Sequence, residues 1–244
     1  MEFEPGIKFP IRINRYLALR QFCSRREADK LIKQGQVTLN GKTAELGMQV
    51  KEGDEVFLRQ GFKKMETGRV YLAFNKPVGI VTHNPEKGQK SIRDIFRYKT
   101  RVYPVGRLDK DSFGLIILTN DGRVTGKLLS PEFQHEKEYA VKVDKAITEA
   151  FLKKMAKGIN IADYITKPAS IRKTGEKEFK ITLTEGKNRQ IRRMCLAMGY
   201  TVLELKRLRI LNIELGNLKP GEHREITREE LKSFLDKIGL SIRS

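Results

Sequence analysis

The sequence predicts an α+β protein in two parts, a small helical and hairpin unit followed by a larger unit of short strands and helices. Three observations carry this. A capped, basic helix and a two-residue turn lie within the first sixty residues. A polar stretch with two glycines, 61–69, reads as a linker. Beyond it, short apolar runs bounded by Gly, Pro, Asn and Asp are interspersed with segments of helical period.

Residues 24–35 predict the first of these helices. Ser24 and Glu27 have capping-box spacing, and Gly35 is a natural stop. At about 100° per residue, Ala28, Leu31 and Ile32 share one face. Arg25, Arg26, Asp29, Lys30 and Lys33 cover the opposite arc. Val37, Thr38 and Leu39 then lead into Asn40-Gly41, a hairpin turn, and Gly53-Asp54 precedes a second strand at 55–58. A basic helix face is, taken alone, an ordinary solvated surface. The order of residues adds to this reading. INRYLALRQFCSRREADKLIKQGQVTLNG, followed by VKEGDEVFL, resembles the S4 RNA-binding domain through its SRR helix start, its GxVxxNG turn and its VxxGDxV strand. The resemblance implies that Arg25, Arg26, Lys30 and Lys33 grip structured RNA.

After the linker, 70–74 is a buried strand that ends at Asn75-Lys76-Pro77-Val78-Gly79, where Pro and Gly force a loop. A second buried strand, 114–119, closes at Asn120-Asp121-Gly122 and is preceded by a polar loop holding Asp109 and Asp111. Residues 87–110 carry eight Lys or Arg against two acids, so an aspartate in this strip invites explanation. On spacing alone, turn formation explains Asp109 and Asp111 at least as well as catalysis does. Strands follow at 135–143 (with Tyr139), 179–184 and 200–210, and helices at 148–158, 189–198 and 227–238, the last with a Thr227/Glu230 capping box. In 189–198, Ile191, Met194, Cys195 and Met198 recur at helical spacing, which puts Cys195 in the core. Arg189, Arg192 and Arg193 are left for other surfaces, and the start of this helix offers free N–H groups to an anion.

Composition narrows the partner. The 244 residues carry a net charge of +19 and a pI near 9.9, which favours a polyanion. No run approaches the roughly 18 apolar residues of a membrane span, and no signal peptide is evident, so nucleic acid is favoured over a lipid surface. Cys23 and Cys195 make no disulfide framework and fit a reducing, cytoplasmic setting. The histidines, His83, His135 and His223, lie far apart without ligand spacing, so no metal is expected. Gly41-Lys42-Thr43 is not a phosphate-binding loop, because the earlier glycine it needs falls at Gln36.

The segments NKPVGIV, GRLDKDSFGLIILTNDG, HEKEYAV and GKNRQIRRMCLAMGYTVLELKRLRI, in this order, resemble the pseudouridine synthase family that includes the RsuA-type enzymes. The resemblance spans residues 11–228 and is strongest toward the F group of large-subunit ribosomal enzymes, through GRLDKDS, HEKEY and NRQIRRMC. It implies an S4-like domain at 1–60, a linker at 61–69 and a catalytic domain at 70–244. That domain is built on a long, mostly antiparallel mixed sheet flanked by helices. The implied reaction detaches uracil from ribose at N1, rotates it and rejoins it at C5, without cofactor or metal. The implied partner is structured RNA, 23S ribosomal RNA foremost, with small-subunit RNA or a tRNA anticodon arm as alternatives. A monomer without an obligate protein partner is expected.

The resemblance also assigns roles. Asp109 acts at the ribose, as nucleophile at C1′ or as base at C2′. Arg192 pairs with that carboxylate, Tyr139 stacks on the base, and Leu205 lines the other side of the pocket. Arg107, Leu108, Lys110, Arg189, Gln190 and Ile191 are placed to hold the displaced nucleotide. Asp111 is expected to be a turn residue without a role. The rivals are a non-catalytic S4 binding module and an S4-fused methyltransferase, the latter lacking its glycine-rich cofactor loop here.

Overall fold

Ser24 caps its helix as the sequence predicts. Its hydroxyl accepts a 3.3 Å bond from the Glu27 N–H in a computed structural model that describes residues 9–20, 22–59, 68–130 and 132–241. The chain separates into two compact units, residues 1–69 with 121–123, and residues 70–120 with 124–244. The expected linker lies for the most part outside the described residues.

The first unit runs β1 (Ile11–Arg12), α1 (Ile13–Leu19), α2 (Arg25–Lys33), β2 (Val37–Leu39), β3 (Lys42–Thr43), β4 (Gln49–Val50) and β5 (Val56–Leu58). Gly35, at φ +66°, ends α2 because an L side chain resists that conformation. Ala28, Leu31 and Ile32 pack into one core with Ile13, Leu17, Val37 and Val50. Asn40 and Gly41 both take positive φ, which lets the two-residue turn follow the strand twist, and β2 pairs antiparallel with β3 and β5.

The second unit continues with β6 (Tyr71–Lys76), α3 (Ile92–Ile95), β7 (Tyr103–Val105), β8 (Phe113–Thr119), α4 (Gly122–Leu128), β9 (Lys137–Val143), α5 (Glu149–Lys157) and β10 (Ser170–Gly175). It closes with β11 (Glu178–Leu183), α6 (Gln190–Ala197), β12 (Val202–Ile210), β13 (Ile213–Glu214), β14 (His223–Glu225) and α7 (Arg228–Lys237). One sheet runs in the order β10-β11-β9-β12-β8-β6-β14, with β13 beside β12 and β7 beside β8. Every pairing is antiparallel except β12 with β8. This is the mixed sheet that the family resemblance implies.

The central strands β6 and β8 are buried on both faces, which is why they read as unbroken apolar runs rather than alternating ones. Ala73, Leu115 and Ile117 pack against Phe234 and Leu235 of α7, whereas Leu72, Phe74, Ile116 and Leu118 pack against Ile92. A third cluster joins β9, β11 and β12 to Phe151 of α5 and to Ile191, Met194 and Cys195 of α6. Where β8 meets β12, Gly114 sits at φ +107°, and a Cβ there would stand 2.3 Å from the Arg207 carbonyl oxygen. Only glycine allows that approach. α6 begins one residue later than the sequence predicts, because Arg189 takes the left-handed conformation, φ 47°, and caps the helix instead of opening it.

Candidate active site

Asp109 stands in the loop between β7 and β8, and the backbone around it is fixed from the loop after β6. Thr82 Oγ1 donates to the Leu108 carbonyl at 2.8 Å and accepts from the Leu108 N–H at 3.0 Å. The Gly79 N–H donates to the Lys110 carbonyl at 2.8 Å, and the Ser112 N–H to that of Asp109 at 3.1 Å. Both neighbours of Asp109 are therefore held while its side chain remains half-buried. Among the described residues its carboxylate carries no hydrogen bond or ion pair.

Two buried cations belong to the same region. Lys76, at the end of β6, is fully buried and donates from Nζ to the carbonyls of Pro77 at 2.8 Å and Ile80 at 2.7 Å. Burial pulls its ammonium down to about 8; the charges of Asp109 and Asp111 oppose the fall, and Arg207 adds to it. Arg207 of β12 is 4% exposed, donates from Nε to the Leu115 carbonyl at 2.7 Å and reaches the Arg107 carbonyl at 3.4 Å, and its buried Nη2 has no partner among the described residues. In register it faces Tyr139 of β9 on one side and Gly114 of β8 on the other. Tyr139 is thus brought, strand by strand, to the base of the Asp109 loop. Leu205, two residues earlier on β12, is buried opposite Val141 in the cluster that holds Ile191.

Arg192 does not make the pair with Asp109 that the family resemblance implies. Its Nε lies 3.3 Å from the Asp111 carboxylate, as an ion pair rather than an aligned hydrogen bond. Its Nη2 donates to the Asp111 carbonyl at 3.0 Å, and its Nη1 to the Val202 carbonyl at 3.0 Å. Arg189 forks onto the same carboxylate at 3.1 and 2.9 Å. Asp111, expected to be a turn residue, is the acceptor for both guanidinium groups. The reason lies in spacing: positions three apart at a helix start project to the same side, and Asp111 is the carboxylate they meet. Burial pushes the Asp111 carboxyl up, but the Arg189 bonds and the charges of Arg192 and Arg189 outweigh this and leave it below the usual carboxylate range. Arg189 is held more firmly protonated, first through its bond to Asp111, with the charge of Asp109 adding to the effect. Asp109 therefore lies within electrostatic reach of Arg189 without touching it.

Arg107 and Lys110 are exposed beside Asp109, as a phosphate-holding role requires. Leu108, Gln190 and Ile191, expected at the RNA, are instead buried. Gln190 is consumed within the loop before α6, donating to Glu185 at 2.7 Å and accepting from the Lys187 N–H at 2.9 Å. In the first unit Arg25, Arg26, Lys30 and Lys33 all lie exposed on α2. Cys195 is buried, and burial pushes its thiol up to about 12, which rules out a nucleophilic thiolate at neutral pH. Among the described residues no group of three or more His, Cys, Asp or Glu is placed to hold a metal, and no helix is long and apolar enough to cross a membrane. Sequence reasoning missed Thr82, Lys76 and Arg207. Lys76 had a signal in closing an apolar run, whereas Arg207 had none, because its strand also carries Glu204, Lys206 and Arg209.

Residues 70–197 match the model of the RNA pseudouridylate synthase family, and residues 11–56 match the S4 domain. The chain is 46% identical over 223 residues to the dual-specificity RNA pseudouridine synthase RluF of Escherichia coli (strain K12), covering 91% of this chain and 77% of that protein. It is 36% identical over 230 residues to the ribosomal large subunit pseudouridine synthase B of Bacillus subtilis (strain 168), covering 91% and 94%. A crystal structure of a pseudouridylate synthase superposes with a TM-score of 0.69 at 30% identity, over 92% of this chain and 99% of that one. With its S4 domain, its mixed sheet and the loop that presents Asp109, the chain belongs to the RNA pseudouridylate synthase family and isomerises uridine in RNA.

Proposed function

We propose that the substrate is a uridine of 23S ribosomal RNA and that Asp109 is the carboxylate that acts on its ribose. The observation that carries the second part is an unpaired, half-buried carboxylate on a loop whose backbone is fixed on both sides of it. A group that attacks C1′ or takes a proton at C2′ needs a free lone pair and a fixed position, and Asp109 has both. Tyr139, opposite Arg207, stacks on the flipped base, and Leu205 forms the apolar wall. Arg192 supports the site from the start of α6, and Arg107, Lys110 and Arg189 receive phosphates. The uridine leaves its stack to reach Asp109, at a cost of a few kcal/mol. A large-subunit substrate is supported by the name of the Bacillus subtilis relative. The Escherichia coli relative is called dual-specificity, which favours a second RNA substrate, and a tRNA anticodon arm is the second reading. The buried free thiols Cys23 and Cys195 support a reducing, cytoplasmic setting.

Tritium release from C5-labelled uridine tests the assignment, because rejoining at C5 expels that hydrogen. The expected result is release from 23S transcripts, blocked by Asp109→Asn. Release from small-subunit RNA or tRNA alone would overturn the 23S assignment, and full activity of the Asn variant would overturn the role of Asp109.

A further inference from the structure

Leu129 and Phe133 lie open at the turn between α4 and β9, 46% and 41% exposed. Single exposed apolar side chains are ordinary on a protein surface, and what sets these two apart is where they lie. The turn is tied at both ends to elements of the site. At one end Leu129 packs on Gly106, where a Cβ would stand 3.1 Å from Leu129 Cδ2. Gly106 is followed by the exposed Arg107 and, three residues on, by Asp109. At the other end Lys137 Nζ donates to the His135 carbonyl at 3.1 Å, and Tyr139 follows two residues later on β9. Between these ties the Phe133 N–H donates to the Ser130 carbonyl at 3.3 Å.

The Phe133 ring is held in place. It stacks on the buried His135 imidazole, with centroids 5.7 Å apart and planes at 16°, and Lys127 Nζ lies 5.5 Å from its centroid. A ring fixed in one orientation gives up little freedom when another ring packs on it. Every base offers such a ring, and it brings a phosphate with it. The Lys127 ammonium, on its flexible stem, is free to leave the ring for that phosphate. Of the two exposed acids nearby, Glu136 is engaged by Arg209 at 3.0 Å, which leaves Glu132 against Lys127 and Arg107. We propose that Phe133 stacks on the base next to the target uridine once that uridine has left its own stack, with Lys127 turned to the accompanying phosphate. A neighbour left bare would draw the uridine back, so covering it holds the strand open for the reaction. This rests on the placement of the site at the Asp109 loop.

The test is single-turnover tritium release at saturating RNA, with affinity measured separately, for Phe133→Ala and Phe133→Tyr. The substrate is whichever transcript the wild-type protein converts, with the converted uridine mapped, so the outcome does not depend on the 23S assignment. The Ala variant is expected to lose about tenfold in rate, the scale of one stacked base. Its affinity should change little, because the contact forms only after the uridine has left its stack. Tyr keeps the ring and should retain most of the rate. The same measurements are then made on RNA carrying an abasic nucleotide on the 5′ or the 3′ side of the converted uridine. On one of these two RNAs the penalty of the Ala variant should vanish, because the base it would have lost is already gone. A packing role would give the same penalty on every RNA. A wild-type rate for Phe133→Ala, an equal loss with Tyr, a loss confined to affinity, or a penalty that persists on both abasic RNAs overturns the proposal. Asp109→Asn, assayed alongside, separates the two readings. If it is dead, the placement of the site stands whatever Phe133 does; if it is active, that placement has failed and the stacking role falls with it.

Discussion

Asp109 and Lys76 answer different physical demands within one site. As the proposed acting carboxylate the aspartate must be charged and free, so its replacement by Asn, which keeps the shape and loses the charge, should abolish isomerisation while changing the unfolding free energy by less than about 0.5 kcal/mol. A loss of midpoint in parallel with activity would reassign Asp109 to the fold. Lys76 carries its charge in a fully buried position, and burial lowers its ammonium from 10.5 to about 8. The sign follows from proton counting. Below about 8 both the folded and unfolded chains hold this proton, and the buried charge is a standing cost to the fold. Between about 8 and 10.5 the folded chain has released it and the unfolded chain has not, so this residue makes stability rise with pH. Lys76→Met should flatten that rise. Urea midpoints measured from pH 7 to 10.5 on both proteins check this, and because Lys137 is also lowered to about 8, the informative quantity is the difference between the two curves. Parallel curves would mean that Lys76 does not titrate in this window.

At the scale of elements, the β8–β12 contact decides the site, because it is the one parallel strand pairing of the large sheet among the described residues and it sets Arg207 against Gly114. Gly114→Ala should destabilise the protein by about 2–4 kcal/mol, since the added methyl meets backbone at 2.3 Å in a left-handed conformation. Gly186→Ala, with nothing within 4 Å of its Cβ, should change stability by less than about 0.5 kcal/mol. Equal midpoints for the two variants would show that the strands can separate at no cost. The same contact explains what the sequence could and could not reveal. Helices such as α2, α5 and α7 were legible because their caps and apolar faces are local, and β6 and β8 because burial on both faces leaves an apolar run. β10 was not, since SIRKTG lies mostly exposed and does not alternate, and β14, HRE, is three residues of exposed edge. Asp109 stood out as a candidate only through the ordered motif around it, because spacing alone could not separate it from Asp111. The clasp of Asp111 with Arg189 and Arg192 joins residues 78 and 81 positions apart, and it exists only once the sheet has brought α6 to the loop.

The whole molecule carries +19 on 244 residues, far more positive charge than one uridine pocket needs. If most of that excess serves affinity for RNA, affinity should be separable from chemistry in this chain, because the Asp109 loop and helix α2 of the S4 domain belong to different compact units. Arg25 and Arg26 open α2 with exposed side chains, while the core of that unit is made by Ala28, Leu31 and Ile32 on the other face. Replacing both arginines by Ala therefore removes charge without removing packing, and Ala favours the helix. If these side chains meet phosphates, each lost contact removes roughly one counterion from the release on binding. The slope of log affinity against log salt should then fall by about two for the double variant, with weaker binding at every salt concentration. The rate at saturating RNA should stay near wild type, because nothing within the Asp109 loop has changed. A binding titration at four or five salt concentrations, paired with tritium release under saturation, separates the alternatives. Weaker binding with a reduced slope and an intact rate places α2 on the RNA backbone. An unchanged slope would leave its basic face as a solvated surface and would move the affinity to the cations of the catalytic unit.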